Sequence, residues 1–141
     1  MTEFRRESDL VPRIVEAGEP AKVFGREVPL FKRMMDLYAV SRPTGRTFAY
    51  ELKLSDWKRG LRQASTYVLA ADFVYLAIPK TIAQRAIAMT DVFQEFGVGL
   101  MAIDGTCDVI IRPKRSRQVI ETCRQSALDH LYGRRGEANA S

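Results

Sequence analysis

Residues 34–67 read MMDLYAVSRPTGRTFAYELKLSDWKRGLRQASTY, and this stretch decides the fold. Two apolar runs, 33–40 and 47–54, have the composition of neighbouring strands. Between them, Pro43 and Gly45 suit positions i+1 and i+3 of a type I turn. The sequence therefore predicts a β-hairpin whose strands carry a few isolated polar residues.

A helix is predicted directly after this hairpin, over residues 56–71, with Ser55 or Asp56 as its N-cap. The other predicted elements are a helix at 7–18, an extended stretch at 22–31, a buried strand at 73–78, a helix at 80–96, strands at 98–104 and 107–112, and a helix at 116–132. This order indicates an α/β layer architecture.

The composition is that of a single soluble domain. Of the 141 residues, 46% are hydrophobic and 28% are charged, which is ordinary for a globular protein with a core. No apolar run approaches the ~20 residues of a membrane span, and the charged N-terminus lacks the apolar segment of a secretory signal. We therefore expect a cytoplasmic protein with no membrane contact, a domain at 1–132 and a disordered polar tail at 133–141.

The net charge is +5, from 22 basic and 17 acidic residues, which suits a polyanionic partner. One basic cluster adjoins the hairpin and comprises Lys53, Lys58, Arg59 and Arg62. A second cluster, interpreted as a solvated loop, comprises Arg112, Lys114, Arg115 and Arg117. Because they have no ligand-spaced partners, three residues are interpreted as packing or surface groups: Cys107, Cys123 and His130.

The register of the hairpin determines whether its polar residues meet. If Arg42 pairs with Gly45, opposed residue numbers sum to 87 and Asp36 lies opposite Glu51. Directly opposed side chains project on one face of a sheet with Cβ atoms about 4.5–5.5 Å apart. A three-residue turn with Gly45 in a bulge would shift the register by one and separate the two carboxylates.

Glu51 and Lys53 are two residues apart on a strand and therefore point to the same face. Two facing carboxylates repel each other unless they are protonated or neutralised by a metal. Mg²⁺ or Mn²⁺ suits such a pair, because hard cations prefer oxygen ligands and keep water and phosphate in their shell. Lys53 is placed to hold an attacking water or to stabilise developing charge.

The predicted helix adds a polar ridge. On a helical wheel, Arg59, Gln63 and Tyr67 lie together at i, i+4 and i+8, away from the apolar stripe. These side chains are expected to face a nucleic-acid backbone.

Asp36, the Glu51-x-Lys53 pair and the Gln63-x-x-x-Tyr67 element together resemble the PD-(D/E)xK nuclease superfamily, especially its RecB-like and lambda-exonuclease-like members. The match covers roughly residues 27–104. It implies a restriction-endonuclease-like core, with a central mixed β-sheet flanked by helices. The position before Asp36 holds Met35 where the family motif has proline.

The resemblance implies catalytic roles for Asp36, Glu51, Lys53, Gln63 and Tyr67. It implies metal ligation by Asp36, Glu51 and the backbone carbonyl of Leu52. A first-helix acid also joins the site in some members; Glu7 and Glu16 are the candidates, and Glu16 is preferred. Nucleic-acid contacts are expected from Lys58, Arg59, Arg62 and Gln63.

The expected function is metal-dependent hydrolysis of phosphodiester bonds in DNA, in a repair, recombination or restriction-like role, with homodimerisation as a possible arrangement. Two other classes remain open. One is a non-catalytic nucleic-acid-binding module on the same scaffold. The other is a protein-interaction subunit with neither metal nor DNA affinity.

Overall fold

The chain builds one six-stranded sheet whose strands lie side by side in sequence order. Neighbouring strands are antiparallel from β1 to β3, parallel from β3 to β5 and antiparallel again at β6. The strands are Lys22–Leu30 (β1), Arg33–Ser41 (β2), Thr47–Leu52 (β3), Phe73–Pro79 (β4), Val98–Ile103 (β5) and Cys107–Ile111 (β6).

This computed structural model describes residues 4–18 and 20–140, with side chains as far as Gly133. Its helices are Val11–Ala17 (α1), Trp57–Thr66 (α2), Lys80–Ala86 (α3), Thr90–Phe96 (α4) and Glu121–Ala140 (α5). Short 3₁₀ turns at Glu7–Leu10, Tyr67–Leu69 and Ile87–Met89 adjoin α1, α2 and α3. The α/β architecture and the mixed sheet flanked by helices are confirmed. No helix among these residues combines the length and hydropathy needed to cross a bilayer.

Each face of the sheet has its own core. Leu61, Ala83 and Phe93 from α2, α3 and α4, with Ala127 from α5, pack on one face. On the other face, Leu10 and Ile14 from the N-terminal helical segment pack against strand residues that include Tyr50 and Leu52. Because side chains alternate along β3, Glu51 and Lys53 project to the face that α2 covers.

The β2–β3 register is the one predicted. Leu37 pairs with Tyr50 and Val40 with Thr47, so opposed residue numbers sum to 87. The loop is closed by a hydrogen bond from Ser41 N to Arg46 O (2.9 Å), and Gly45 has a φ of +71°. Gly45 N donates to Ser41 O (2.7 Å). Residues 42–45 therefore form a four-residue loop, and a loop of this length keeps Asp36 and Glu51 at opposed positions.

The last helix differs from the sequence prediction at both ends. It begins at Glu121 instead of residue 116, because Ser116 N donates to Asp72 O (2.7 Å) and Ile120 N to Leu69 O (2.9 Å). The helix continues to Ala140, although a disordered tail was expected from Gly133. Once a helix is nucleated, each added residue gains a hydrogen bond, and here this gain outweighs the poor helix propensity of Gly133 and Gly136. Ser141 lies outside the described residues.

Asp72 joins α5 to the sheet. Its carboxylate accepts hydrogen bonds from Thr47 N (2.9 Å), Thr47 Oγ1 (3.0 Å) and Arg124 Nη1 (2.8 Å). Asp72 precedes β4, Thr47 begins β3 and Arg124 lies on α5, so one buried carboxylate links three elements. This network fixes the start of β3. The polar residues of the candidate site lie at the other end of that strand.

Candidate active site

A polar cleft of about 340 Å³ opens beside the end of β3, on the face that α2 covers. The five residues predicted as catalytic all line it, although they come from β2, β3, the position directly after β3, α2 and the turn after α2. The complete lining consists of Glu7, Arg33, Met34, Asp36, Glu51, Lys53, Arg59, Gln63 and Tyr67. The structure therefore brings together the residues on which the sequence prediction depended; their catalytic roles remain predictions.

Asp36 and Glu51 meet where β2 and β3 separate. The last paired residues are Leu37 and Tyr50. Beyond them, Leu52 N donates to Asp36 Oδ2 (2.8 Å) instead of to a β2 carbonyl. The Asp36 carboxylate thus replaces a β2 backbone carbonyl as the acceptor for Leu52 N. In this position the carboxylate also lies close to that of Glu51.

Glu51 is a buried carboxylate, with only 4% of its surface exposed. It accepts a hydrogen bond from Tyr67 Oη, and Lys53 Nζ lies 3.7 Å from Glu51 Oε2. Burial, with the added charge of Asp36, raises the pKa of Glu51 to about 8, although Tyr67 and Lys53 act in the opposite direction. The raised pKa means that the Asp36–Glu51 pair keeps a proton near neutral pH, and a bound cation would favour the release of that proton.

Tyr67 corrects the helical-wheel prediction. The wheel placed it on an exposed ridge with Arg59 and Gln63, but it is only 2% exposed. The α-helix ends at Thr66 and a tighter 3₁₀ turn begins at Tyr67, so the 100° step no longer applies. Burial and Glu51 raise the pKa of Tyr67 above its usual value, which keeps its hydroxyl protonated as a donor. Tyr67 therefore borders the cleft with its hydroxyl bound to Glu51, and the catalytic role predicted for it stays a prediction.

The residues predicted to bind nucleic acid divide into two groups. Arg59 and Gln63 line the cleft. Gln63 Oε1 is buried and has no hydrogen-bond partner in the part of the chain that is described, as expected of an acceptor that awaits a donor. By contrast, Lys58 and Arg62 are exposed outside the cleft, and Lys58 Nζ lies 5.7 Å from the centre of the Trp57 ring.

The prediction that Glu16 is the first-helix acid of the site is wrong, because Glu16 lies away from the cleft. Glu16 is exposed and forms an ion pair with Arg13 (3.4 Å), and it does not line the cleft. Glu7, the other candidate, lines it from the 3₁₀ turn before α1. The two acids lie nine residues apart on different turns, and the sequence does not show which turn approaches β3.

A metal ion in this cleft would depend on few ligands. Among the residues whose side chains the structure describes, no group of three or more His, Cys, Asp or Glu is placed to hold a metal. The side chain of Leu52 is buried in the core of the opposite face, so only its backbone borders Asp36 and Glu51. The set that adjoins Leu52 is two carboxylates and one carbonyl, with Glu7 elsewhere in the cleft lining, which suits an ion that retains several waters.

Two residues of the site were missed by sequence analysis. Arg33 begins β2 and adds a cation to the cleft, and no motif singled it out. Gly60 lies in α2, where a Cβ atom would approach Lys53 Cγ to 2.6 Å and Leu76 Cδ1 to 2.9 Å. The missing side chain lets α2 approach β3 closely, which brings Arg59 and Gln63 over Lys53.

Replacing Gly60 by alanine tests this close approach. We expect the new methyl group to displace the flexible Lys53 side chain and to reduce any cleavage activity about tenfold or more, as does loss of a positioned catalytic group. Stability should change by less than about 1 kcal/mol, because alanine's better helix propensity offsets the clash. Ser65→Ala on the same helix, outside the cleft, is the matched control. Unchanged activity in Gly60→Ala would show that Lys53 is not held by this contact.

The second basic cluster lies elsewhere. Lys114, Arg115 and Arg117 line a cleft of about 720 Å³ beside the end of α4, where Glu95 is the acidic lining residue among those described. Arg115 Nε also lies 3.9 Å from Asp72 Oδ1. Although this cleft is larger, it has no facing carboxylates, so the smaller cleft is the candidate active site.

Comparison with known proteins supports the fold. No protein-family model matches the chain, and no curated protein matches it. A similar solved structure is that of a protein of unknown function from Silicibacter pomeroyi, with a TM-score of 0.68 and 16% identity, covering 98% of this chain and 89% of that one. At this identity the similarity shows that the two chains share a fold.

Proposed function

We propose that the protein is a metal-dependent nuclease of the PD-(D/E)xK type, with a restriction-endonuclease-like core, that hydrolyses phosphodiester bonds in DNA. The observation that supports this most is the meeting of Asp36, Glu51 and Lys53 in one polar cleft. Arg33 and Arg59 border the same cleft, and guanidinium groups match phosphate geometry well.

Asp36, Glu51 and the backbone carbonyl of Leu52 would hold one Mg²⁺ or Mn²⁺. These donors fit the ion, because they are hard oxygens and because the buried Glu51 carboxylate beside Asp36 favours a cation. An ion held in this way lowers the pKa of a coordinated water and polarises a phosphoryl oxygen.

The chain's own side chains would do the remaining work. Lys53, held 3.7 Å from Glu51, would orient a water and donate to the developing charge. Arg33 and Arg59 would bind the phosphates on either side of the scissile bond. The unpartnered Oε1 of Gln63 would accept a hydrogen bond from a water or a sugar hydroxyl.

A cleavage assay tests the proposal. Wild-type protein is incubated with labelled single-stranded, duplex, flapped and junction DNA, with Mg²⁺, Mn²⁺ or EDTA. We expect metal-dependent cleavage of at least one substrate, and loss of that cleavage in Lys53→Met. A catalytic role is excluded if no substrate is cleaved with either metal, or if Lys53→Met cleaves as the wild type does.

A second candidate function is a non-catalytic nucleic-acid-binding module. It is favoured by the scarcity of ligands, since no three-ligand group occurs in the described part of the chain and Asp36 already accepts a hydrogen bond from Leu52. It predicts salt-dependent DNA binding without cleavage, and unchanged binding in Lys53→Met. A homodimer would place two clefts on one duplex in either case, and sedimentation of the wild type tests for it.

A further inference from the structure

The turn between β1 and β2 has an unfavourable residue at its tip. Leu30 pairs with Arg33, so Phe31 and Lys32 form a two-residue loop. Phe31 has a φ of +56°, at the position where a type II′ turn usually has glycine. A bulky residue at positive φ is strained, and Phe31 is also 71% exposed. Neither property helps to close the hairpin, which glycine would close with less strain.

This tip adjoins the candidate active site. Arg33 and Met34, which follow it directly, line the cleft. Tyr67 Oη, which donates to Glu51, also lies 3.4 Å from Met34 O, so the start of β2 is close to the residue that positions this carboxylate. Lys32 and Arg33, which follow Phe31 in the chain, are exposed and add positive charge next to it. An exposed aromatic side chain on a strained turn thus lies next in sequence to residues that line the polar cleft.

We propose that Phe31 stacks on an unpaired or terminal nucleobase of the nucleic acid bound in the cleft; this inference rests on the proposed function. Local strain at an exposed residue is retained where the residue has a use outside the fold. The adjacent Lys32 and Arg33 favour a polyanion over an apolar protein surface. Stacking needs a free base face, so the preferred ligand has single-stranded character next to the bond in the cleft.

Two oligonucleotides separate stacking from phosphate binding. The first is a single-stranded thymidine oligonucleotide, and the second is an abasic oligonucleotide of the same length, which keeps the phosphates without the bases. Affinities are measured by fluorescence anisotropy in EDTA, where cleavage does not occur. We expect Phe31→Gly to bind the thymidine oligonucleotide about 5- to 150-fold more weakly than wild type, the range for one base–aromatic stack. Its affinity for the abasic oligonucleotide should not change.

Lys32→Gln is the matched control, because it should weaken binding of both oligonucleotides by the same factor. Phe31→Gly should also unfold at a higher temperature than wild type, because glycine relieves the positive φ. If wild type and Phe31→Gly bind the thymidine oligonucleotide with equal affinity, the stacking inference is wrong but the proposed function is not affected. It fails together with the proposed function if wild type binds neither oligonucleotide and also cleaves none of the four DNA substrates with Mg²⁺ or Mn²⁺. Conversion of a dimer to a monomer by Phe31→Gly, with affinities unchanged, would assign the tip to a second copy and overturn the inference.

Discussion

Replacement of Asp36 by asparagine is expected to reduce metal-dependent DNA cleavage about 10²- to 10³-fold, as for loss of one preorganised electrostatic group. Asparagine keeps the shape of the side chain, and its Oδ1 still accepts the hydrogen bond from Leu52 N. The substitution removes the charge that, with Glu51, would hold the ion. It also removes like-charge repulsion with a buried carboxylate, so the thermal midpoint should stay the same or rise.

Glu16→Gln is the control for this substitution. It neutralises one carboxylate, but Glu16 lies outside the cleft and pairs with Arg13. Initial rates of cleavage and circular-dichroism melting curves are compared for the three proteins. Full activity in Asp36→Asn would remove Asp36 from the site, and a matching loss in Glu16→Gln would show that the effect is not specific to the cleft.

Replacement of Asp72 by asparagine is expected to lower the free energy of unfolding by about 3 kcal/mol. This is the lower end of the range for removing one partner of a buried ion pair, because the Arg124 side chain remains 22% exposed. The substitution weakens the link between β3, β4 and α5 and leaves Glu121 as the acidic partner of Arg124. Urea unfolding of wild type and variant at pH 7 measures the difference.

The loss of unfolding free energy in Asp72→Asn should become smaller as the pH falls. Burial alone would raise the pKa of Asp72, but hydrogen bonds from Thr47 and the charge of Arg124 outweigh burial and hold the pKa below the usual 3.8. A carboxylate with a depressed pKa in the folded state stabilises the protein above its ordinary pKa, and this contribution is lost as the pH falls below it. The difference between wild type and Asp72→Asn should therefore be constant near neutral pH and shrink below about pH 4.

Asp108→Asn is the matched control, since Asp108 is exposed on β6. It should unfold at nearly the wild-type urea concentration at every pH. A difference between wild type and Asp72→Asn that persists unchanged in acid would show that the charge of Asp72 is not what stabilises the fold.

Much of the site was predictable because its elements are local in sequence. Apolar alternation identified β2 and β3, and pairing across the short loop set Asp36 opposite Glu51 without knowledge of the rest of the chain. The Asp56 cap was likewise predictable; its side chain accepts from Arg59 N (3.4 Å). In each of these cases the contacting residues are close in the chain, so geometry follows from spacing alone.

The other features depend on contacts between distant residues. Whether Glu7 or Glu16 faces the cleft depends on how the N-terminal helix packs under the sheet. Tyr67 became a buried donor because α2 tightens into a 3₁₀ turn at that residue. Asp72 bonds to Thr47, 25 residues away, and to Arg124, 52 residues away. No periodicity or motif encodes such pairs, so only the folded chain reveals them.

Mn²⁺ binding to the purified protein tests the central claim most directly, because its readout does not depend on activity. Isothermal titration of metal-free wild type with MnCl₂ is compared with titrations of Asp36→Asn, Glu51→Gln and Glu16→Gln. We expect one ion per chain in wild type and Glu16→Gln, and affinity at least about tenfold weaker in the other two. Equal binding in all four proteins, or no binding in wild type, would contradict the assignment of Asp36 and Glu51 as a metal site.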